Sequence, residues 1–195
     1  MGSRSFNVLW SLLAVLLAVL GDILIESSEI THVRVFFDCV TDVSVSAVTW
    51  LATGLPKSTS TGRRLCFAIL CGLCSTGLDL DHFLEAGSLR LKDATSLDHR
   101  PFFHMTTLWI LLTLLLIACP GSRYTLLPGL TLTVWLPHML RDASHRGLWL
   151  WPVHNSQPLP RLMTLLGVFL TGPLVKSYRM WTKRLEAKIK QFHVV

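Results

Sequence analysis

Carboxylate and imidazole side chains gather at particular ends of the apolar segments in this 195-residue chain. The residues concerned are Asp38 and Asp42, then Asp79, Asp81 and His82, then His99 and His104, and finally His138, Asp142 and His145. Neutral imidazole and carboxylate are the donors that zinc, manganese or iron uses when no thiolate is present. Because ionisable groups at a membrane edge are costly and are by default functional candidates, the set predicts a site for a divalent metal ion.

The spacing is most regular at the end of the fifth apolar segment. His138, Asp142 and His145 stand at i, i+4 and i+7, which places them on one stripe of a helix. Two helical turns that carry this combination beside an apolar run favour metal binding. The alternative for each residue taken singly is a helix cap or a polar group at the membrane interface.

Two other sequences offer ligands at the ends of neighbouring segments. In the D-L-D-H sequence that begins at Asp79, the first aspartate and the histidine share a helical face at i, i+3. Asp81 points elsewhere, so either it orients a ligand or the helix has already ended. Pro101 fits the first helical position, where its missing N–H costs nothing. If His99 lies in the loop before that proline, His99 and His104 can both turn toward one site.

The elements that must position these residues are membrane helices. Apolar residues make up 51% of the chain and charged residues only 15%, against about 25% in typical globular proteins. No charged residue lies between Arg100 and Arg123, which is enough chain to cross about 30 Å of hydrocarbon. The composition therefore predicts an integral membrane protein whose partner is the lipid bilayer.

Six apolar segments predict an all-α, multi-pass membrane helical bundle. The predicted spans lie near 6–25, 37–55, 65–81, 102–119, 124–141 and 162–178. Residues 1–178 would form a single transmembrane domain, and residues 179–195 a basic cytosolic tail, either solvated or lying on anionic lipid. The alternative for the first segment is a cleaved signal peptide.

The distribution of Lys and Arg predicts the orientation. Eleven of these residues fall on the side that holds both termini and seven on the other, so the positive-inside rule places both termini in the cytosol, with an endomembrane as the expected location. With six spans, parity puts all the clustered Asp and His residues at the opposite, non-cytosolic face. No interleaved basic and aromatic patch indicates nucleic-acid binding.

The same residues carry a family resemblance. The stretch from Gly77 to Lys92, the sequence H-R-P-F-F-H from His99, and H-M-L-R-D from His138 resemble the transmembrane protein 267 family, an uncharacterised multi-pass family. The resemblance extends over residues from about 37 to 160, through the Trp-rich segment that ends at Pro152.

A more distant resemblance concerns the order of the motifs. D-x-D-H, then H-R-x-x-x-H, then H-x-x-x-D and a late W-P are similar to the bacterial YdjM-type membrane-bound proteins described as metal-dependent hydrolases. That resemblance implies metal-site roles for Asp79, Asp81, His82, His99, His104, His138 and Asp142. The bacterial pattern begins with a Thr-His pair in an early helix, and the nearest position here is Asp42.

These observations lead to competing functions. The first is a metal-dependent hydrolase whose divalent ion or ions, Zn, Mn or Fe, are held by Asp79, His82, His104, His138 and Asp142. Asp81 or His99 would then act as general base or orienting residue, and an amphiphilic substrate would arrive from the bilayer. The second is a non-catalytic membrane protein in which the same cluster is structural. A small transporter is a third reading, although transporter sites usually lie at the bilayer midplane.

Overall fold

The structure is a computed structural model, and it describes residues 3–54, 59–119 and 126–192. Within these ranges the chain is all-α apart from one short hairpin. The helices are α1 (Ser3–Ser27), α2 (Thr31–Ala52), α3 (Thr61–Thr76), α4 (Leu80–Ala86), α5 (Leu91–Ala94), α6 (Thr106–Ala118), α7 (Leu126–Arg146) and α8 (Arg161–Phe192). Two 3₁₀ turns, Gly77–Asp79 and Phe102–His104, precede α4 and α6, and strands β1 (Trp149–Leu150) and β2 (His154–Asn155) pair antiparallel.

The long helices are apolar on the outside and small or polar on the inside. In α1, Leu12 and Leu16 are about half exposed, whereas Ser11, Ala14 and Ala18 are buried. A protein in water would bury the leucines, because exposed apolar surface of this extent is unfavourable there. Membrane helices instead pack through small residues and turn their large side chains to lipid. The fold is therefore that of an all-α integral membrane protein.

Three helical segments in the described part of the chain are long and apolar enough to cross a bilayer: Asn7–Ser27, Thr31–Ala52 and Thr61–Ala86. Helix α6 is apolar but has only 13 residues. Each of the six predicted segments falls on a helix, but the number of helices that span the membrane stays a prediction. Residues 55 and 124–125 of the predicted spans lie outside the described residues.

Two helix boundaries differ from the prediction in ways that matter for the site. Helix α2 begins at Thr31 rather than near residue 37, so Asp38 and Asp42 lie inside the helix and not at its start. Helix α8 continues without a break to Phe192, so the predicted tail beyond residue 178 extends the last helix.

Helix α2 lies at the centre of the bundle and packs against α1, α3, α7 and α8. Small residues permit the closest approaches. A Cβ atom added at Gly72 of α3 would stand 2.6 Å from the carbonyl oxygen of Val43 in α2, so glycine is required at this contact. On the other side, Ala14, Ala18 and Val168 form a buried cluster against α2. This packing holds the aspartates of α2 at a defined depth.

Candidate metal centre

A tight turn after α3 carries Asp79. The α-helix ends at Thr76, and the next three residues form a 3₁₀ turn. Leu78 in that turn is buried against Trp135 and Met139 of α7, which anchors the turn to the helix that carries His138. Asp79 ends this turn and directly precedes α4, whose first residues include Asp81 and His82.

A second tight turn carries His104. The backbone of Pro101 is extended, and the His104 N–H donates to the Pro101 carbonyl at 3.0 Å, closing a 3₁₀ turn. Trp109 of α6 donates its indole N–H to the Phe103 carbonyl. Because α6 begins only at Thr106, His104 precedes the helix, where the sequence pattern had placed it inside the fourth span.

The two turns and α7 bring Asp79, His104 and His138 together. Asp79 Oδ1 lies 3.2 Å from His104 Nε2 and 3.5 Å from His138 Nε2, and the two Nε2 atoms are 3.3 Å apart. Ligand atoms about 2.1 Å from a tetrahedral metal ion are separated by about 3.4 Å. The three atoms are therefore spaced as the ligands of one ion are. We call Asp79, His104 and His138 the central triad.

Each imidazole of the central triad has a second carboxylate at its Nδ1 atom, on the ring edge away from Asp79. Asp42 Oδ2 lies 3.0 Å from His138 Nδ1, and Asp81 Oδ1 lies 3.4 Å from His104 Nδ1. A carboxylate at Nδ1 favours the tautomer protonated there, which leaves the Nε2 lone pair for a metal ion. Asp81 is itself held, since its Oδ2 accepts a hydrogen bond from the Phe103 backbone N–H. Asp81 thus lies at the ring nitrogen of His104 that does not face Asp79.

Asp142 and His82 border the central triad. Asp142 Oδ2 lies 3.5 Å from His104 Nε2, and its side chain is 37% exposed. His82 Nδ1 lies 3.3 Å from Asp81 and 3.9 Å from Asp79, with its ring edge-on to that of His104. Both residues lie close enough to contribute to the site without belonging to its centre.

Two histidines singled out from the sequence lie apart from the central triad. His99 is exposed, and its Nε2 lies 2.7 Å from Glu85 Oε1 at the end of α4. His145 is exposed on α7, so of the predicted stripe only His138 and Asp142 reach the site. His145 shares the stripe but lies about 10.5 Å beyond His138 along the helix axis, too far to bind the same ion.

Sequence reasoning missed the residue that connects the site to the bundle, Arg141. Its buried guanidinium donates to Asp42, to Asp38 at 2.8 Å and to Asp22 of α1 at 3.2 Å. Asp22 also pairs with Arg161 at 3.5 Å. The sequence does contain a signal for this network, because an arginine inside an apolar helix predicts that carboxylates pair with it.

The cluster carries an excess of negative charge. Five aspartates, one arginine and three histidines form it, namely Asp38, Asp42, Asp79, Asp81, Asp142, Arg141, His82, His104 and His138. With neutral imidazoles, the single guanidinium leaves four negative charges unbalanced. Because buried charge is costly unless paired, the cluster calls for additional positive charge, which protonated imidazoles or a bound cation would supply.

A cleft of about 450 Å³ adjoins the central triad. Asp79, whose side chain is 28% exposed, and His82 line the cleft, whereas His104 and His138 are buried beside it, with side chains 5% and 2% exposed. Asp79 is therefore the member of the triad that connects it to the cleft.

Comparison with known proteins identifies relatives that are each named transmembrane protein 267. The Bos taurus protein is 36% identical over 115 residues, which cover 56% of this chain and 52% of that protein. The Xenopus laevis protein is 33% identical over 133 residues, covering 65% and 60%. The chain thus spans only about half to three fifths of the length of these two relatives.

No family model and no solved structure matches the chain. The match to the Danio rerio protein named transmembrane protein 267 is longer, 157 residues at 32% identity, and covers 71% of this chain and 69% of that protein. Similarity of this extent over most of both chains shows that this protein belongs to the transmembrane protein 267 family.

Proposed function

We propose that this chain is a membrane-embedded, metal-dependent hydrolase that acts on a membrane-associated substrate. The observation that carries the proposal is the central triad, whose three ligand atoms lie 3.2–3.5 Å from one another. The cleft that Asp79 lines supports a catalytic rather than a closed structural site, because catalytic centres combine three protein ligands with one free position. The distant resemblance to bacterial membrane-bound hydrolases is a separate argument from motif order.

Each residue has a role that follows from its position. Asp79, His104 and His138 would hold the ion, with Asp142 next to them, and Asp42 and Asp81 orient the imidazoles. A divalent ion, when bound, would lower the pKa of a coordinated water to about 7 and so make hydroxide available near neutral pH. His82 lines the cleft beside Asp79 and is placed to accept a proton, whereas His99 lines the cleft further out, against Glu85.

The proposal includes an orientation. Both termini would face the cytosol, and the central triad would lie at the opposite face of an endomembrane. The basis is the Lys and Arg distribution together with the parity of six spans.

Metal analysis of the full chain, purified in detergent and dialysed, tests the metal site. We expect about one or two ions of Zn, Mn or Fe per chain, and loss of that metal in Asp79→Asn and His138→Ala. His145→Ala is the matched control, because His145 is an exposed histidine on the helix that carries His138. A wild-type protein without bound metal, or equal loss in the control, would contradict the site.

Turnover distinguishes the hydrolase from its alternative. A non-catalytic role is favoured by one observation, the connection of three helices through buried Arg141. If metal binds and raises the thermal unfolding temperature, but a panel of ester-linked amphiphiles gives no metal-dependent turnover, the cluster is structural. Metal-dependent turnover that Asp79→Asn abolishes supports the hydrolase.

A further inference from the structure

The cleft beside the central triad contains cations that the proposed chemistry does not use. Arg34 of α2 and Arg146 of α7 both line it and are exposed. Among the residues that the structure describes, neither guanidinium has a carboxylate partner within 4 Å. The two carboxylates that also line the cleft face inward, because Asp38 pairs with Arg141 at 2.8 Å and Asp79 faces His104 and His138. The two arginines are therefore left to favour an anionic ligand next to the predicted metal ion.

The two arginines occupy equivalent places on two helices. On α2, Asp42, Asp38 and Arg34 follow one another at four-residue intervals toward the start of the helix. On α7, the same interval leads from His138 through Asp142 to Arg146. Four residues of helix rise about 6 Å, so each arginine lies one turn beyond the inner carboxylates on the same stripe.

The turn after α7 holds Arg146 in place. Arg100 donates from Nη1 to the Gly147 carbonyl at 2.9 Å. Gly147 has a φ of +74°, and an added Cβ would meet the Ser156 carbonyl oxygen at 2.0 Å, so the turn admits only glycine. The position of Arg146 at the cleft is thus fixed by the backbone that follows it.

The remaining wall of the cleft is mixed, with the polar residues Thr31, Thr95 and His99 beside an apolar part. Ile25, Val35 and Phe83 contribute to its wall. Nearby, Leu84 of α4 is 76% exposed and Leu89, just after it, is 92% exposed, as expected for a segment that rests in lipid. A ligand of this cleft therefore has an anionic head and an apolar chain.

We propose that the cleft binds the phosphate-bearing head of a membrane lipid, with Arg34 and Arg146 contacting the phosphate and the apolar wall contacting the acyl chain. Phosphate fits two arginines better than a carboxylate does, because a carboxylate has only two oxygens, whereas a phosphate monoester has three terminal oxygens and carries more negative charge, so it can bind both guanidinium groups and face a metal ion as well. The inference rests on the proposed function, since it names the substrate class of the same site.

Native mass spectrometry of the full chain in detergent tests the inference. The probes are phosphatidic acid, diacylglycerol with the same acyl chains, the corresponding free fatty acid, and inorganic phosphate. We expect phosphatidic acid to be retained in preference to the other three. Arg34→Gln and Arg146→Gln should each lower its retention about tenfold, the loss expected when one hydrogen bond to a charged group is removed.

Arg90→Gln is the matched control. Arg90 is exposed in the connection between α4 and α5, near the cleft but not part of its lining. This change should leave retention within about twofold, because isolated surface charges contribute little. Equal retention of diacylglycerol or of the fatty acid, equal binding of inorganic phosphate, or an equal effect of Arg90→Gln would overturn the inference.

The same experiment separates this inference from the proposed function. If the chain holds no metal yet retains phosphatidic acid in an arginine-dependent way, the hydrolase proposal fails and the lipid site stands. If the chain holds metal and both arginine variants retain phosphatidic acid as the wild type does, the lipid site is refuted and the metal centre stands.

Discussion

Asp42→Asn is the substitution that most directly tests how the site is organised. Asp42 is buried in α2, and its two carboxylate oxygens serve different partners: one faces His138 Nδ1 at 3.0 Å and the other accepts from Arg141. The amide keeps the shape of the side chain but removes its charge. It also introduces an NH₂ group that can donate to His138 Nδ1 and so move the ring proton to Nε2.

The expected loss of metal affinity follows from the contacts that Arg141 and His138 keep after the substitution. Arg141 keeps Asp38 at 2.8 Å and Asp22 at 3.2 Å, so the guanidinium stays paired and the fold should survive. His138 loses the carboxylate that orients it. Loss of such an outer partner typically lowers metal affinity 10–100-fold, or about 1.4–2.7 kcal/mol, and we expect a decrease in that range.

A competition titration of purified protein against a chromophoric chelator measures this affinity. Asp22→Asn is the matched control, because Asp22 is also buried and also pairs with Arg141 but has no contact with His138. We expect it to change metal affinity less than about threefold. If the Asp42 variant binds metal as tightly as the wild type, or if both variants lose affinity equally, Asp42 does not act through His138 and the reasoning is refuted.

Three further predictions concern the fold. Arg141→Met should lower the free energy of unfolding by about 3–5 kcal/mol, because it leaves buried carboxylates unpaired. The control Arg161→Met, at a half-exposed arginine, should lower it by less than about 1 kcal/mol. Thermal unfolding compares the two variants, and equal losses would contradict the buried network. Gly147→Ala should cost more than about 2 kcal/mol of stability in the same assay, because both the positive φ and a backbone clash oppose a Cβ atom. The control Gly87→Ala, which shares the positive φ but has open space around it, should cost about 1 kcal/mol. The reverse order would refute the argument. Accessibility tags beside Gly62 and Gly87 should report opposite sides of the membrane, with Gly62 cytosolic; tags on one side would show that α3 does not span.

The sequence predicted the helices well because lipid selects long apolar runs. It also placed Asp79, His104 and His138 at one end of the bundle, since parity and helical spacing depend only on where the runs begin and end. The sequence could not predict the path of the backbone in the turns between helices. The turn at Phe102–His104 depends on Asp81 accepting the Phe103 N–H, a contact between residues 22 positions apart.

The buried ion network was also beyond the sequence reasoning. Periodicity places Asp42 and Arg141 on their own helices but does not say which helices are neighbours. Only the central position of α2 brings Asp42 between Arg141 and His138. His99 shows the opposite case: its spacing from His104 suggested a shared site, yet a carboxylate on α4 holds it at the surface.

The buried arginine has a consequence for how the chain is made. Arg141 and its partners Asp22, Asp38 and Asp42 are ionisable groups that are costly to place in a membrane without one another. Helices α1 and α2 leave the ribosome first, so their aspartates have no guanidinium partner from α7 until that helix is made. A nascent chain stopped before α7 should therefore be degraded rapidly by membrane quality control, and changing the three aspartates to asparagine should lengthen its lifetime in a pulse-chase experiment.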